Sequence, residues 1–351
     1  MLNEPQRPQR DDEIELFDLI QGVWRQKLWV GLVAAPIVAA GVAYALLATP
    51  VYEAKLFVGP PTQNDIAQLN FGRGADFGLA PITVKEVYDT HLQALQSESV
   101  RNKFFRDVYL PSLSEELRNG SRDGLYSEFN KVLTVAPAGK GASTRYAVTA
   151  AVSDPQQAAK WVVAYNELAA ENAKREVLQS NHSDMLIKAD NLQNQINGAK
   201  ISARKEREDR IAQLKEALAV AKSVGLEKPP LISEPLSTQV SAGMGGSLTY
   251  MRGSKALEAE IATLEARTSD EPFIDGLRPK QEKVAFYREL KLDPSVIQVF
   301  KQDGAVELPD QPIKPKKSLI VLLSLVLGLG AGGLTAVVKD LWSRREASRV
   351  S

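Results

Sequence analysis

The chain has no cysteine and only two histidines in its 351 residues. That excludes disulfides and thiolate metal sites, and it is compatible with an oxidising compartment without requiring one. His91 and His182 lie far apart, and no HExxH or similar ligand set accompanies them, so no metal centre is expected. Charge of one sign is also lacking, since 43 Lys and Arg balance 43 Asp and Glu. With aromatics at 7%, neither the basic footprint nor the stacking surface of a nucleic-acid binder is present, and no nucleic-acid partner is expected. There is no GxSxG elbow and no GxxxxGK[ST] loop. No catalytic, cofactor-binding or metal-ligating residue is assigned, no cofactor is expected, and the chain is not read as an enzyme. Two glycosylation sequons, at Asn119 and Asn181, are read as chance; the second falls inside a long helical pattern.

What the chain does have is two uncharged apolar runs near its ends, Trp29–Leu47 and Ser318–Val338. Each has the length needed to cross a hydrocarbon core of about 30 Å, and neither keeps the polar stripe of a half-buried soluble helix. Transmembrane helices are therefore expected over 28–48 and 318–338. The acidic lead-in before the first run, and Pro50-Val51-Tyr52 after it, suit an uncleaved anchor better than a signal peptide. Arg25 and Lys27 precede the first run, and Lys339, Arg344, Arg345 and Arg349 follow the second; this puts both termini in the cytoplasm. Lys314, Lys316 and Lys317 stand on the opposite side. Trp24, Trp29 and Trp342 fit interfacial anchors. Small residues recur every four positions in each run: Gly31, Ala35, Ala39 and Ala43 in the first, Ser324, Gly328, Gly332 and Ala336 in the second. That spacing permits close helix approach in lipid. Neither run holds an Asp, Glu, Lys, Arg or His to carry ions or protons.

Between the runs, strands are expected at Tyr52–Val58, Lys131–Ala136, Tyr146–Val152 and Val296–Phe300, and one helix over Val84–Phe105. The strands are expected to pair in one mixed sheet covered by helices. Asp154 as N-cap and Pro155 at the first helical position open a pattern with no further proline until Pro229. About seventy helical residues would extend roughly 100 Å. Its apolar seam runs through Met185, Ala189, Leu192, Ile196, Ala199 and Ala203, then Ile211, Leu214, Leu218 and Ala221, with a stutter crossing Arg207. The charged run 203–210 is read as a solvated face with Glu206 and Arg210 paired. Residues 225–253, rich in glycine and proline, read as a tip loop. Lys255–Arg267 returns as a helix, Pro272 and Pro279 interrupt it, and Val284, Tyr287 and Leu290 resume the helical spacing. A hairpin this narrow is expected to complete its packing against neighbouring copies.

The fold expected is α+β: two transmembrane helices flanking a periplasmic mixed α/β base with a long antiparallel helical hairpin. Its parts are a cytoplasmic segment 1–27, a periplasmic domain 49–317 and a cytoplasmic tail 339–351. Within the periplasmic domain the base takes 49–153 and 294–317, and the hairpin takes 154–293.

This order of parts resembles the Wzz-type chain-length determinants, the polysaccharide co-polymerases of bacterial O-antigen synthesis. The resemblance rests on Asp12–Ile20 before Trp24, on Tyr52-Glu53-Ala54, and on the proline-rich stretch Pro309, Pro312, Pro315, Lys316 and Lys317 before a glycine-bearing span. Three prolines there remove amide donors and favour stiff, extended geometry. The resemblance implies a non-catalytic inner-membrane protein that forms ring-like homo-oligomers and imposes a length on polymer made by a Wzy-type polymerase. The growing glycan and membrane lipid are further implied partners. Two alternatives are a co-polymerase for capsule or exopolysaccharide acting with a separate kinase, and a membrane-anchored coiled-coil adaptor. The short tail and missing Walker motif argue against a built-in kinase, and the second span argues against the adaptor.

Overall fold

A computed structural model describes residues 24–139, 144–230, 246 and 248–350. The lead-in Asp12–Ile20, part of the turn after Ala136 and most of the expected tip loop lie outside the described residues. The chain runs α1 (Lys27–Leu47), β1 (Tyr52–Gly59), α2 (Val84–Gln96), α3 (Glu98–Phe104), α4 (Arg122–Val132), β2 (Leu133–Pro137), β3 (Tyr146–Val152), α5 (Pro155–Ser223), α6 (Ser254–Ala266), α7 (Leu277–Glu289), β4 (Lys301–Gln302) and α8 (Lys317–Val350), with shorter helical turns between them. Its described residues divide into two compact units: those within 1–60, 91–172 and 300–351 form one; those within 61–90 and 173–299 form the other. This division differs from boundaries at 153/154 and 293/294. It cuts inside α5 and brings residues 61–90 into the unit of the hairpin.

In the first unit the sheet order is β2-β3-β1-β4, and every described pairing is antiparallel, which corrects the expected mixed sheet. Even-numbered residues of β1 (Ala54, Leu56 and Val58) are buried, while Glu53, Lys55 and Phe57 point to the other face, as the two-residue strand period requires. The expected strand Val296–Phe300 is not one. Ile297 and Val299 are buried in alternation, but that segment joins no ladder, and β4 is only the two residues that follow it. The expected helix Val84–Phe105 breaks at Ser97, which is extended, with φ −66° and ψ 129°. Several aromatics gather here: Phe104 meets the rings of Tyr165 edge-on at 5.4 Å and Phe129 at 6.1 Å. Tyr165 donates its hydroxyl to the Leu95 carbonyl at 2.7 Å, and burial pushes its phenol up to about 12.

The start of α5 is as expected, because Asp154 Oδ1 accepts the Gln156 N–H at 2.9 Å. The helix continues for 69 residues. It ends at Gly225, whose φ of +69° suits the left-handed cap, and the Leu226 N–H returns to the Ala221 carbonyl at 2.8 Å. In the second unit α6 and α7 pack back along it. Met185, Ala189, Leu192 and Ile196 form one apolar cluster with Leu277, Val284 and Tyr287. Leu214 and Ala221 form another with Leu257 and Ile261. These positions are buried within a single chain, so the seam does not need neighbouring copies to close it. Pro279 does not interrupt a helix; it lies in the first turn of α7, where its missing N–H leaves no helical bond unmade.

Arg207 sits between the two clusters, at the phase break. Its Nε is 2.9 Å from Asp270 Oδ1, its Nη1 donates to the Leu264 carbonyl at 3.1 Å, and the two side chains are 17% and 10% exposed. The charged run is therefore not wholly a solvated face. The expected Glu206–Arg210 pair gives way to Arg204–Glu208 along the helix, and Arg210 reaches across to Glu260. A stutter turns one side chain of the charged run inward, and the return chain answers it with a carboxylate. Arg207→Ala should lower the stability of the full chain by about 2 kcal/mol, the scale of a charge-assisted hydrogen-bonded pair. Arg204→Ala should change it by less than about 0.5 kcal/mol. Urea unfolding in detergent followed by circular dichroism compares the two, and equal effects would contradict an inward-facing pair.

Candidate functional site

The described residues hold no cluster of three His, Asp or Glu that could bind a metal ion. The two histidines differ in setting. His182 is exposed, whereas His91 is buried, 3.2 Å from Asn166 Oδ1 and stacked on Phe300 with ring centroids 4.8 Å apart. The i±4 spacing of His91 from Val87 and Leu95 on α2 is the signal that could have placed it inside. Asn181, the second sequon residue, is also buried; its amide donates to the Leu69 carbonyl at 2.8 Å.

The residues picked out by pattern lie in the two end helices and the segment between β4 and α8. The two helices pack antiparallel, because rising numbers in α1 meet falling numbers in α8. A Cβ added at Gly332 would lie 2.8 Å from the Val30 carbonyl oxygen, and one at Gly328 would lie 3.1 Å from that of Ala34. Gly41 faces Ser324 in the same manner, at 2.5 Å. Ser324 and Ala336 are buried, and Ser324 Oγ donates to the Val321 carbonyl at 2.8 Å. At one end Lys339 Nζ lies 3.6 Å from the centroid of the Trp29 ring. The second-span set Ser324, Gly328, Gly332 and Ala336 thus makes this contact. The first-span set does not: Gly31, Ala35, Ala39 and Ala43 are exposed, and the contact face is Val30, Ala34, Gly41 and Ala45. The first span has alanine or glycine on several faces, so a four-residue spacing alone selects the wrong row.

The proline-rich segment continues from this pair. Val51 and Lys314 form an antiparallel bridge, with the Val51 N–H on the Lys314 carbonyl at 3.0 Å and the Ile313 N–H on the Val51 carbonyl at 2.8 Å. The exit of α1 and the approach to α8 are therefore joined by main-chain bonds. Pro309 and Pro312 lie outside any helix or strand, before that bridge. The Lys314–Pro315 bond is cis, and Lys316 accepts the Ile320 N–H at the start of α8. Both end helices are long and apolar enough to cross a membrane and leave most of that surface outward.

Residues 12–108 match the Wzz family, described as chain length determinant protein. A chain length determinant protein of Escherichia coli is 23% identical over 323 residues, covering 92% of this chain and 91% of its own. One from Salmonella typhimurium strain LT2 is 19% identical, with 92% and 90% covered. Among solved structures, a full-length bacterial polysaccharide co-polymerase superposes with a TM-score of 0.68 at 20% identity, over 94% of this chain and 99% of that one. The Shigella flexneri lipopolysaccharide O-antigen chain-length regulator WzzB gives 0.53 at 18% identity, over 74% and 99%. The two apolar helices and this family indicate a two-pass protein of the inner membrane.

Two outcomes test the local geometry. Gly332→Leu should destabilise the detergent-solubilised protein by about 1–3 kcal/mol, the cost of overpacking a close contact. Gly31→Leu should leave thermal unfolding unchanged; the reverse order would contradict the contact face. Burial holds the His91 imidazole down at about 4, below its ordinary 6.5. The unfolded chain therefore binds a proton between those values that the folded chain does not. The stability this group contributes is full above pH 6.5 and is lost as pH falls through about 4, a change on the order of 3 kcal/mol. His91→Gln should flatten that part of the stability–pH curve, measured by urea unfolding at pH 7 and pH 4.5. The chain is thus similar to the Wzz-type chain-length determinant proteins in residues 12–108, to curated chain length determinant proteins along nearly its whole length, and to a polysaccharide co-polymerase in fold.

Proposed function

We propose that this chain regulates the length of lipopolysaccharide O-antigen as a non-catalytic co-polymerase. In this reading it forms a ring-like homo-oligomer in the inner membrane and acts beside a Wzy-type polymerase on the growing glycan. The observation that carries the reading is the shared fold with a full-length polysaccharide co-polymerase over 94% of the chain. The site geometry is in keeping with it, since the described elements hold a membrane helix pair, an extended collar and a long helical seam, and the buried His91 is unsuited to acid–base work. Length is imposed by surfaces that hold polymerase and glycan together, with release favoured past a certain size. The proline-rich residues Pro309, Pro312, Pro315, Lys316 and Lys317 serve as the stiff collar that sets this surface over the second span. The exposed small residues Gly31, Ala35, Ala39 and Ala43 are free for packing against a further copy or against lipid.

In this reading both ends lie in the cytoplasm and the body in the periplasm, which the antiparallel helix pair and the excess of Lys and Arg flanking the termini support.

Deletion of the gene should leave polymer synthesis intact and scatter the length distribution of lipopolysaccharide on a gel. An unchanged ladder would contradict length control, and a change confined to capsule would favour the exopolysaccharide alternative. Because the chain lacks cysteine, topology has a clean readout. Ser254→Cys should react with an impermeant thiol reagent from the periplasm, and Ser348→Cys should react only after permeabilisation. External labelling of Ser348→Cys would overturn the orientation.

A further inference from the structure

The sheet of the first unit has an opening in its ladder. β1 is paired along its whole length with β3, from Tyr52↔Val152 to Val58↔Tyr146. On its other side it is pinned only at the ends: Val58 and Gly59 pair with β4, and Val51 pairs with Lys314. Between those pins lie residues 52–57 of β1 but residues 303–313 of the returning chain, which therefore bows away from the strand. Val51 uses both its N–H and its C=O on the returning side, and the Phe57 carbonyl accepts the Asp303 N–H there at 2.9 Å. By the two-residue alternation of a strand, the N–H and C=O of Glu53 and Lys55 point the same way. Among the described residues no other group of the chain meets them.

Glu53, Lys55 and Phe57 line an open pocket of about 540 Å³ together with residues of the bow between Gly304 and Asp310. That volume falls in the range of about 300–1,000 Å³ typical of small-molecule sites. The charged side chains at its rim are largely matched: Lys55 Nζ lies 2.6 Å from Glu53, and Arg145 lies 2.8 Å from Asp303 and over the Phe57 ring at 4.3 Å. The carboxylates of Glu307 and Asp310 add negative charge, so an anion is disfavoured. A peptide strand is disfavoured too. The free window spans only Glu53 to Lys55, about 7 Å of strand, and its closed ends would force an added peptide to thread beneath the bow. What remains suits a small neutral ligand with donors and acceptors along its edge and apolar faces. The edge would meet the strand, and the faces would meet Phe57, Leu308 and Pro309.

We infer that this cavity is a saccharide subsite, in which sugar hydroxyls complete the interrupted ladder of β1. This rests on the proposed role in glycan length control and deepens it. The cavity lies a few residues from both membrane helices, because Leu47 ends α1 just before Val51 and Lys317 opens α8 just after Lys314. It would therefore hold sugar units of a glycan kept at the membrane surface. The proline-rich collar becomes one wall of a binding site as well as a spacer.

The probe is the oligosaccharide of one or two repeats released by mild acid from the host's own lipopolysaccharide. It is titrated against the full chain in nanodiscs and followed by saturation-transfer NMR. The unaltered protein should give transfer to sugar protons. Lys55→Pro removes the N–H that β3 does not use, together with the ammonium group, at a stretch of β1 that has no partner on its second side. It should weaken binding about fivefold, the scale of one neutral hydrogen bond, while Lys55→Ala should leave binding unchanged. Leu308→Trp, at an exposed position of the bow, should fill the cavity and abolish transfer without disturbing the fold. Absence of transfer with the unaltered protein would overturn the subsite, as would transfer that survives both Lys55→Pro and Leu308→Trp. The lipopolysaccharide ladder of the complemented deletion strain separates the two ideas. A restored ladder without transfer removes the subsite and leaves length control standing; an unrestored ladder removes length control itself.

Discussion

The close antiparallel contact of the two end helices is the constraint on which the first unit depends. Gly332 against Val30 leaves no room for a Cβ, and Gly328 against Ala34 would hold one only in tight contact, so the helices approach backbone to backbone. In lipid there is little hydrophobic drive between helices, and such packing has to supply the association itself. Its consequence is carried directly into the body. With the helices held side by side, Val51 and Lys314 are near enough to bond through their main chains, and β1 and the returning chain start as neighbours. The sheet is thereby tied at one edge to the membrane pair. The proline-rich segment, with fewer amide donors than its length would suggest, spans from β4 to that bridge without forming a helix.

The second unit solves a different problem. A single helix of 69 residues needs a partner along its exposed length, and two short helices separated by a proline-bearing turn supply one. The seam is not uniform. Two apolar clusters are separated by Arg207 and Asp270 where the helical phase drifts. A charged pair at a phase break costs desolvation. The pair stands where the apolar rows change, between the two clusters, and so marks the register of the return.

Much of this was legible in the sequence, for reasons that can be stated residue by residue. The start of α5 followed from Asp154 and Pro155, and its length from the absence of proline. The row Ser324, Gly328, Gly332 and Ala336 stood out because the rest of that span is mostly leucine and valine. In the first span Ala34, Ala35, Ala39, Ala40 and Ala43 point in several directions, so only the packed geometry selects Val30, Ala34, Gly41 and Ala45. Strand direction was not legible either; the two-residue period is the same in parallel and antiparallel sheets, and the direction depends on how distant segments return. The alternation at Val296–Phe300 was correct about burial and wrong about pairing, since apolar alternation records a buried side and not a ladder partner. Arg207 was hidden because a charged run has the same composition whether one member turns inward or none does. The window at Glu53 and Lys55 has no sequence signature, because it is made by the surplus length of residues 303–313.

The functional reading treats the molecule as a surface held in place rather than a centre of chemistry, and the membrane pair is what holds it. The direct test is disulfide trapping in native membranes, using Ala34→Cys together with Gly328→Cys in the cysteine-free chain. A Cβ at 328 would lie 3.4 Å from the Ala34 Cβ, close to the roughly 3.5–4.5 Å of a disulfide. Mild oxidation should give rapid cross-linking within one chain, seen as a mobility shift at monomer size, while Ala35→Cys with Gly328→Cys should not cross-link within the chain. Cross-linking only between chains, or preferentially through Ala35→Cys, would contradict the helix contact and with it the tie between membrane and sheet.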